Sequence, residues 1–175
     1  AYPEDQEMKQ LGFFEYIPEE VDIKKFLVYE KELNSKYCTL KQLEQAKIVQ
    51  VINYIFDDKF KEYIESKTGY KYSIDHFLLY ERRHIQKVDL SKIWYAHNFH
   101  FDKAYSRNML KIIIPINIDE KGGPLIAIDK RSSKTSKDIK KALNNKKHLI
   151  ALGNCKKIYG FYPNVCWHKD GIPKK

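Results

Sequence analysis

Cysteine is scarce here. Cys38, Cys155 and Cys166 are the only three in 175 residues, and none belongs to a Cys-x-x-Cys pair. That argues against a zinc ribbon, a dithiol redox motif and a disulfide framework, and leaves small buried or half-buried thiols as the expectation. The seven glycines form neither a P-loop nor a dinucleotide-binding motif, and no serine stands in a nucleophile elbow, which removes several enzyme classes. No apolar run approaches the length needed to span a bilayer. The N-terminal AYPEDQEMKQ lacks a basic region followed by an apolar one, so a soluble protein with a cytoplasmic, intracellular location is the expectation.

What is present belongs to a folded chain. The hydrophobic fraction is 43%, with 13 Tyr and 9 Phe, far from a disordered composition, and the length suits one domain with a real core. The formal net charge of +9 raises the local concentration of anions. Because lysines occur throughout the chain, a solvated surface is the first reading of that charge, and nucleic acid is not the expected partner.

Pro18 followed by Glu19 and Glu20 predicts a helix running to about Asn34. Thr39 and Gln42 have the spacing of a capping box. Apolar residues from Ile48 through Ile52, Ile55, Phe56 and Phe60 to Tyr63 then predict one long helix closing between Ser66 and Gly69. From Tyr70 the period changes to two, predicting a strand over 70–75, another over Phe77–Tyr80, and a further one from Ile93 that carries HNFHFD. Met109–Ile118 is apolar and β-branched, with Pro115 at a bulge or edge. Leu125–Ile128, His148–Leu152 and Lys157–Trp167 complete the strands. Between them Lys130–Lys147 makes a lysine-rich surface excursion long enough to act as a lid. Helices first and short strands afterwards predict an α+β domain built on a sandwich or barrel.

The stretch richest in chemistry runs from Trp94 to Leu125. In an extended strand residues i and i+2 share a face, so His100 and Asp102 converge on one point. A histidine from another strand would complete the set of two imidazoles and one carboxylate that suits non-haem Fe(II), and His168 is the candidate. A second His-x-Asp triplet, His168 and Asp170, has no histidine after it, whereas the first pair has one downstream. His76, His84, His97 and His148 read as ordinary histidines, and Tyr95, Phe99 and Phe101 as core aromatics.

The segment from Trp94 onward resembles the phytanoyl-CoA hydroxylase-like group of Fe(II) and 2-oxoglutarate dependent dioxygenases. The resemblance lies in His100-Phe101-Asp102, in Leu110-Lys111 opening the strand Ile112–Ile118, in the turn Gly123-Pro124-Leu125, and in Tyr162-Pro163 leading to His168. It implies a double-stranded β-helix (jelly-roll, cupin-like) core with the N-terminal helices packed against its sheet. It also implies Fe(II) held by His100, Asp102 and His168, with 2-oxoglutarate and O2 as cosubstrates. The implied reaction hydroxylates a small molecule or a side chain and converts 2-oxoglutarate to succinate; the Lys130–Lys147 excursion, if a lid rather than a solvated insertion, would favour an anionic substrate. The carboxylate of Asp102 implies hydroxylation rather than halogenation.

Two departures from the family pattern matter. Asp129 to Ser133 stands where the family has a Pro-Gly-Ser-His turn, and the family's 2-oxoglutarate-binding arginine would fall beyond Lys175. The ending GIPKK reads as an interrupted loop that stops short of that arginine; the alternatives are a substitute cation, Lys111, Lys174 or Lys175, and a defective cosubstrate site. The alternative function is a non-catalytic β-helix domain that binds a ligand or protein partner.

Overall fold

The computed structural model describes residues 4–19, 39–40, 45–75, 80–81, 98–103, 106, 108–154 and 156–174. Two elements that no motif signals precede Pro18. Helix α1 (Gln6–Leu11) is capped by the Asp5 side chain and stopped by Gly12 at φ 74°, and strand β1 (Phe13–Tyr16) follows directly. A Cβ on Gly12 would stand 2.6 Å from Cys166 Sγ, so this turn needs glycine for space as well as for its left-handed backbone. The helix expected from Pro18 lies, beyond Glu19, outside the described residues.

Thr39 is not a helix cap but part of β2 (Thr39–Leu40), paired with β3 (Tyr80–Glu81). The long helix expected after it is two, α2 (Gln45–Ile55) and α3 (Asp58–Thr68). Asp57 divides them, because its carboxylate accepts from Phe60 N and starts a new helix. The predicted stop holds: Gly69, at φ 80°, closes α3. The strand predicted over 70–75 does not form. Its alternation leaves Tyr70, Tyr72 and Ile74 exposed, so neither side of the segment gains a buried face.

The remaining strands are β4 (Lys111–Ile113), β5 (Ile126–Ile128), β6 (His148–Ile150), β7 (Ile158–Phe161) and β8 (His168–Lys169), with α4 (Ser136–Asn144) between β5 and β6. β4 is shorter than its apolar run because Pro115 cannot donate to a ladder and Asn117 turns the chain at φ 55°. Lys157–Trp167 is not one strand. It breaks after Phe161, where Pro163 enters a turn closed by Val165 and Cys166 donating to Tyr162 O.

Among the described residues all the pairings are antiparallel and form two three-stranded sheets, β1-β7-β4 and β6-β5-β8, besides the β2-β3 pair. Four of them are nested. His100 pairs with His168, Lys111 with Phe161, Ile118 with Gly153 and Ile126 with Ile150, so the described residues between 100 and 169 form one long ribbon whose tip carries α4. The ribbon winds back on itself where β5 also pairs with β8. No sheet closes into a barrel among the described residues, and no helix among them is long and apolar enough to cross a membrane.

Period-two alternation in β1 and β7 gives the first sheet two apolar faces. Phe14 and Ile158 meet Met8, Ile55, Phe60 and Ile64 of the helices. Phe13, Tyr159 and Phe161 turn the other way, toward Leu125, Ala127 and Leu149 of the second sheet. Gly160 lets the two strands approach, since a Cβ there would stand 2.3 Å from the Phe14 ring. The architecture is therefore helices on a sheet on a sheet, an α+β arrangement with the wound ribbon at its centre.

Candidate metal centre

His100 and His168 face each other across a narrow antiparallel bridge. Each backbone N–H donates to the other's carbonyl, at 3.0 and 3.1 Å. Directly opposed residues share a face of the sheet, so the two rings lie side by side with centroids 4.4 Å apart. His168 is in register with Ala127 on its other side, and both are fully buried. A backbone bond from Asp102 N to Pro163 O, 2.9 Å, holds the third residue against the same arm of the ribbon. Phe161 of the opposing sheet closes one side of the His168 ring at 4.9 Å.

The donor atoms converge. His100 Nε2 is 3.3 Å and His168 Nε2 3.2 Å from the same oxygen, Asp102 Oδ1, and one ligand atom from each residue lies within 4.8 Å of the others. Donor atoms held about 2.1 Å from one ion at right angles stand about 3.0 Å apart, so these separations suit neighbouring positions on a single metal. Backbone carbonyls fix the tautomers. His100 Nδ1 is 2.6 Å from Asn98 O and His168 Nδ1 is 3.0 Å from Cys166 O. A carbonyl only accepts, so each Nδ1 carries a proton and each ring turns its Nε2 to the carboxylate. A cation placed among the three would meet two ring nitrogens and one carboxylate oxygen.

The carboxylate is ready for that cation. The His168 ring, then the Lys111 ammonium and the His100 ring, hold the Asp102 carboxyl down to about 2 against the upward push of burial. Lys111 reaches it because Lys111 pairs with Phe161 and so points between the sheets, where its Nζ stands 3.4 Å from Asp102 Oδ2. The second carboxylate oxygen is thus engaged by an ammonium while the first faces both imidazoles. Phe101, between the two ligands in sequence, packs on Trp167 at 5.2 Å.

The three residues named from the sequence are therefore brought together, and Lys111 with them. Lys174 is not: its backbone N–H donates to Lys121 O beside the Gly123 turn, and its side chain is exposed. Lys175 and the candidates His76, His84, His97 and Tyr95 lie outside the described residues. Asp170 lies in the tail past β8 and is not one of the three residues whose ligand atoms converge. The residues that sequence reasoning missed are Asn98 and Cys166, which act through backbone carbonyls two positions before each histidine. Their regular spacing is the only trace they leave, because a carbonyl has no residue type. Neither family models, curated proteins nor solved structures show a match to this chain.

Proposed function

We propose that the chain is a non-haem Fe(II) and 2-oxoglutarate dependent oxygenase that hydroxylates its substrate while converting 2-oxoglutarate to succinate. The observation that carries this reading is the convergence of His100 Nε2, His168 Nε2 and Asp102 Oδ1, with both Nδ1 atoms tied back to carbonyls. Two imidazoles and one carboxylate on one side of an ion leave its other positions open, the donor set of iron oxygenases. The nested ribbon, wound so that β5 pairs with both β6 and β8, supports a double-stranded β-helix as the underlying fold.

On this reading His100, Asp102 and His168 hold the iron, which when bound supplies the redox and Lewis-acid chemistry by which O2 and 2-oxoglutarate react. The chain does the rest. Lys111 holds Asp102 Oδ2, so Asp102 presents one oxygen and keeps its negative charge. Phe161 and Ala127 keep water from the buried side of His168, and the Phe101–Trp167 contact stiffens the strand ends that carry the ligands. With a carboxylate among the ligands, hydroxyl rather than halide transfer is the outcome.

The second reading, a non-catalytic β-helix domain that binds a ligand, draws on Lys111. It is the only cation that the described residues bring into ion-pair range of the triad, and Asp102 already engages it. Anaerobic titration with Fe(II) and 2-oxoglutarate separates the two readings. A visible charge-transfer band, followed by succinate on admitting oxygen, is expected for the oxygenase. Absence of both the charge-transfer band and succinate selects the second reading, and unchanged iron binding by His100→Ala and Asp102→Ala removes the assignment of the metal site.

A further inference from the structure

The positive charge is not evenly placed once the chain is folded. The ribbon tip, residues 130–147, holds Lys130, Arg131, Lys134, Lys137, Lys140, Lys141, Lys146 and Lys147 against the single acid Asp138, a formal +7 within a whole-chain +9. All eight basic side chains are exposed, and none forms an ion pair among the described residues. Asp138 offers them no relief, because its carboxylate accepts from Thr135 N and Thr135 Oγ1 in the capping box that starts α4. Lys137, Lys140 and Lys141 share one face of α4, where like charges three and four residues apart cost stability. A bound polyanion removes that cost.

The tip is also anchored beside the metal centre. Going along β5 from Ala127, the neighbour of His168, the chain reaches Lys130 in three residues, about 10 Å at ~3.3 Å per residue. Ile128 N donates to Trp167 O, and Trp167 N donates to Ser133 Oγ at 3.0 Å, so the base of the tip is bonded to the residue just before His168. The arm bearing His100 runs on to Asp102 toward this same end, since Asp102 N bonds Pro163 O, on the Trp167 side of His168.

We infer that the ribbon tip is a docking surface for nucleic acid, bound through its phosphates without sequence preference and presented to the metal centre. The docking stands without the metal reading; only its use as a substrate guide rests on that reading. Residues 130–147 contain no aromatic side chain, and Ile139, Ala142 and Leu143 turn inward, so the tip has nothing to insert into a lipid surface and no ring on which a base stacks. Seven of the eight cations are lysines, point charges suited to a row of phosphates, and the guanidinium forks that recognise carboxylate pairwise are nearly absent. Phosphate binding releases condensed counterions, which gives the interaction a measurable signature.

The test is fluorescence anisotropy of a labelled DNA duplex of about 20 base pairs with the whole chain in EDTA, repeated across salt concentrations and beside vesicles containing phosphatidylglycerol. Binding should weaken with salt at a log–log slope of ~0.9 per phosphate contacted. Replacing Lys137, Lys140, Lys141, Lys146 and Lys147 with Gln should weaken it at least tenfold and flatten the slope, while the same five changed to Arg should keep it. The inference is overturned if the parent fails to bind at moderate salt, if the Gln variant binds as the parent does, or if only the vesicles bind. Because EDTA keeps metal out, failure here leaves the iron reading untouched, and an unchanged far-ultraviolet circular dichroism spectrum with cooperative urea unfolding in the Gln variant shows that the fold survived.

Discussion

Each donor of the triad is held by something other than its partners, and this fixes what its neighbours do. Lys111 pins Asp102 Oδ2, so Lys111→Met should free the carboxylate to rotate and lower Fe(II) or Co(II) affinity by about 10- to 100-fold, the usual cost of losing a partner that orients a ligand. Lys111→Arg should restore most of it. Anaerobic Co(II) titration, read by its visible spectrum, measures both, and equal affinity in the Met variant would leave Lys111 outside the centre. Cys166 gives a separate residue-scale prediction. Burial pushes its thiol from 9.0 up to about 12, so the folded chain carries it protonated at any ordinary pH. A pKa raised in the fold contributes stability that is complete below about pH 9 and is lost as pH rises toward 12. At pH 8, therefore, iodoacetamide should label the Cys166 peptide only as fast as the chain unfolds, which peptide mass spectrometry in native and urea-treated samples resolves. Immediate labelling in the native sample would mean that the Gly12–Cys166 contact is open.

Among the elements, the contact between β1 and β7 is sharply constrained, because the tip of the Phe14 ring occupies the space that a Cβ on Gly160 would need. Gly160→Ala should cost about 1–3 kcal/mol by overpacking, measured by urea unfolding. Trimming the ring with Phe14→Leu should recover part of that loss, a coupling that two independent sites would not show. None of this was legible in the sequence, since a glycine in a strand does not reveal what lies on it. The elements that were legible share one property: their signal is local. Gly69 stops α3 because a left-handed residue is needed there, and the β-branched run after Leu110 becomes β4 until Pro115 ends the ladder. The alternating segment 70–75 fails as a strand because alternation requires a sheet to bury one side, and that depends on distant chain. Asp57 is the opposite lesson. It sits inside an unbroken apolar period, yet one carboxylate accepting from Phe60 N suffices to end one helix and start another.

At the scale of the whole molecule, the ribbon converts sequence distance into proximity. Asp102 and His168 are 66 residues apart, and the nested pairing brings their side chains to 3.2 Å. His100 and Asp102 could be paired from the sequence because they share a strand face. His168 could be named as their partner because it lies downstream on another expected strand, and the family resemblance pointed the same way, but the positions of Lys111 and the two carbonyls depended on register. Because the ligands come from opposite arms, a bound ion ties the two arms of the ribbon together and binds only the folded chain. Metal should therefore stabilise the protein by mass action, about 2.7 kcal/mol at a free concentration 100 times the dissociation constant. Thermal unfolding with and without Co(II) under nitrogen measures this. The midpoint of the parent should rise with metal concentration, while that of Asp102→Ala should not, even though Asp102→Ala folds in metal-free buffer. The metal-free proteins also carry information. Asp102→Asn keeps the shape of the side chain but removes its charge, so it should fold in EDTA yet gain less stability than the parent from saturating Co(II). If instead metal raises both midpoints equally, the ion binds elsewhere on the chain and the two arms of the ribbon are held together by their backbone bonds alone.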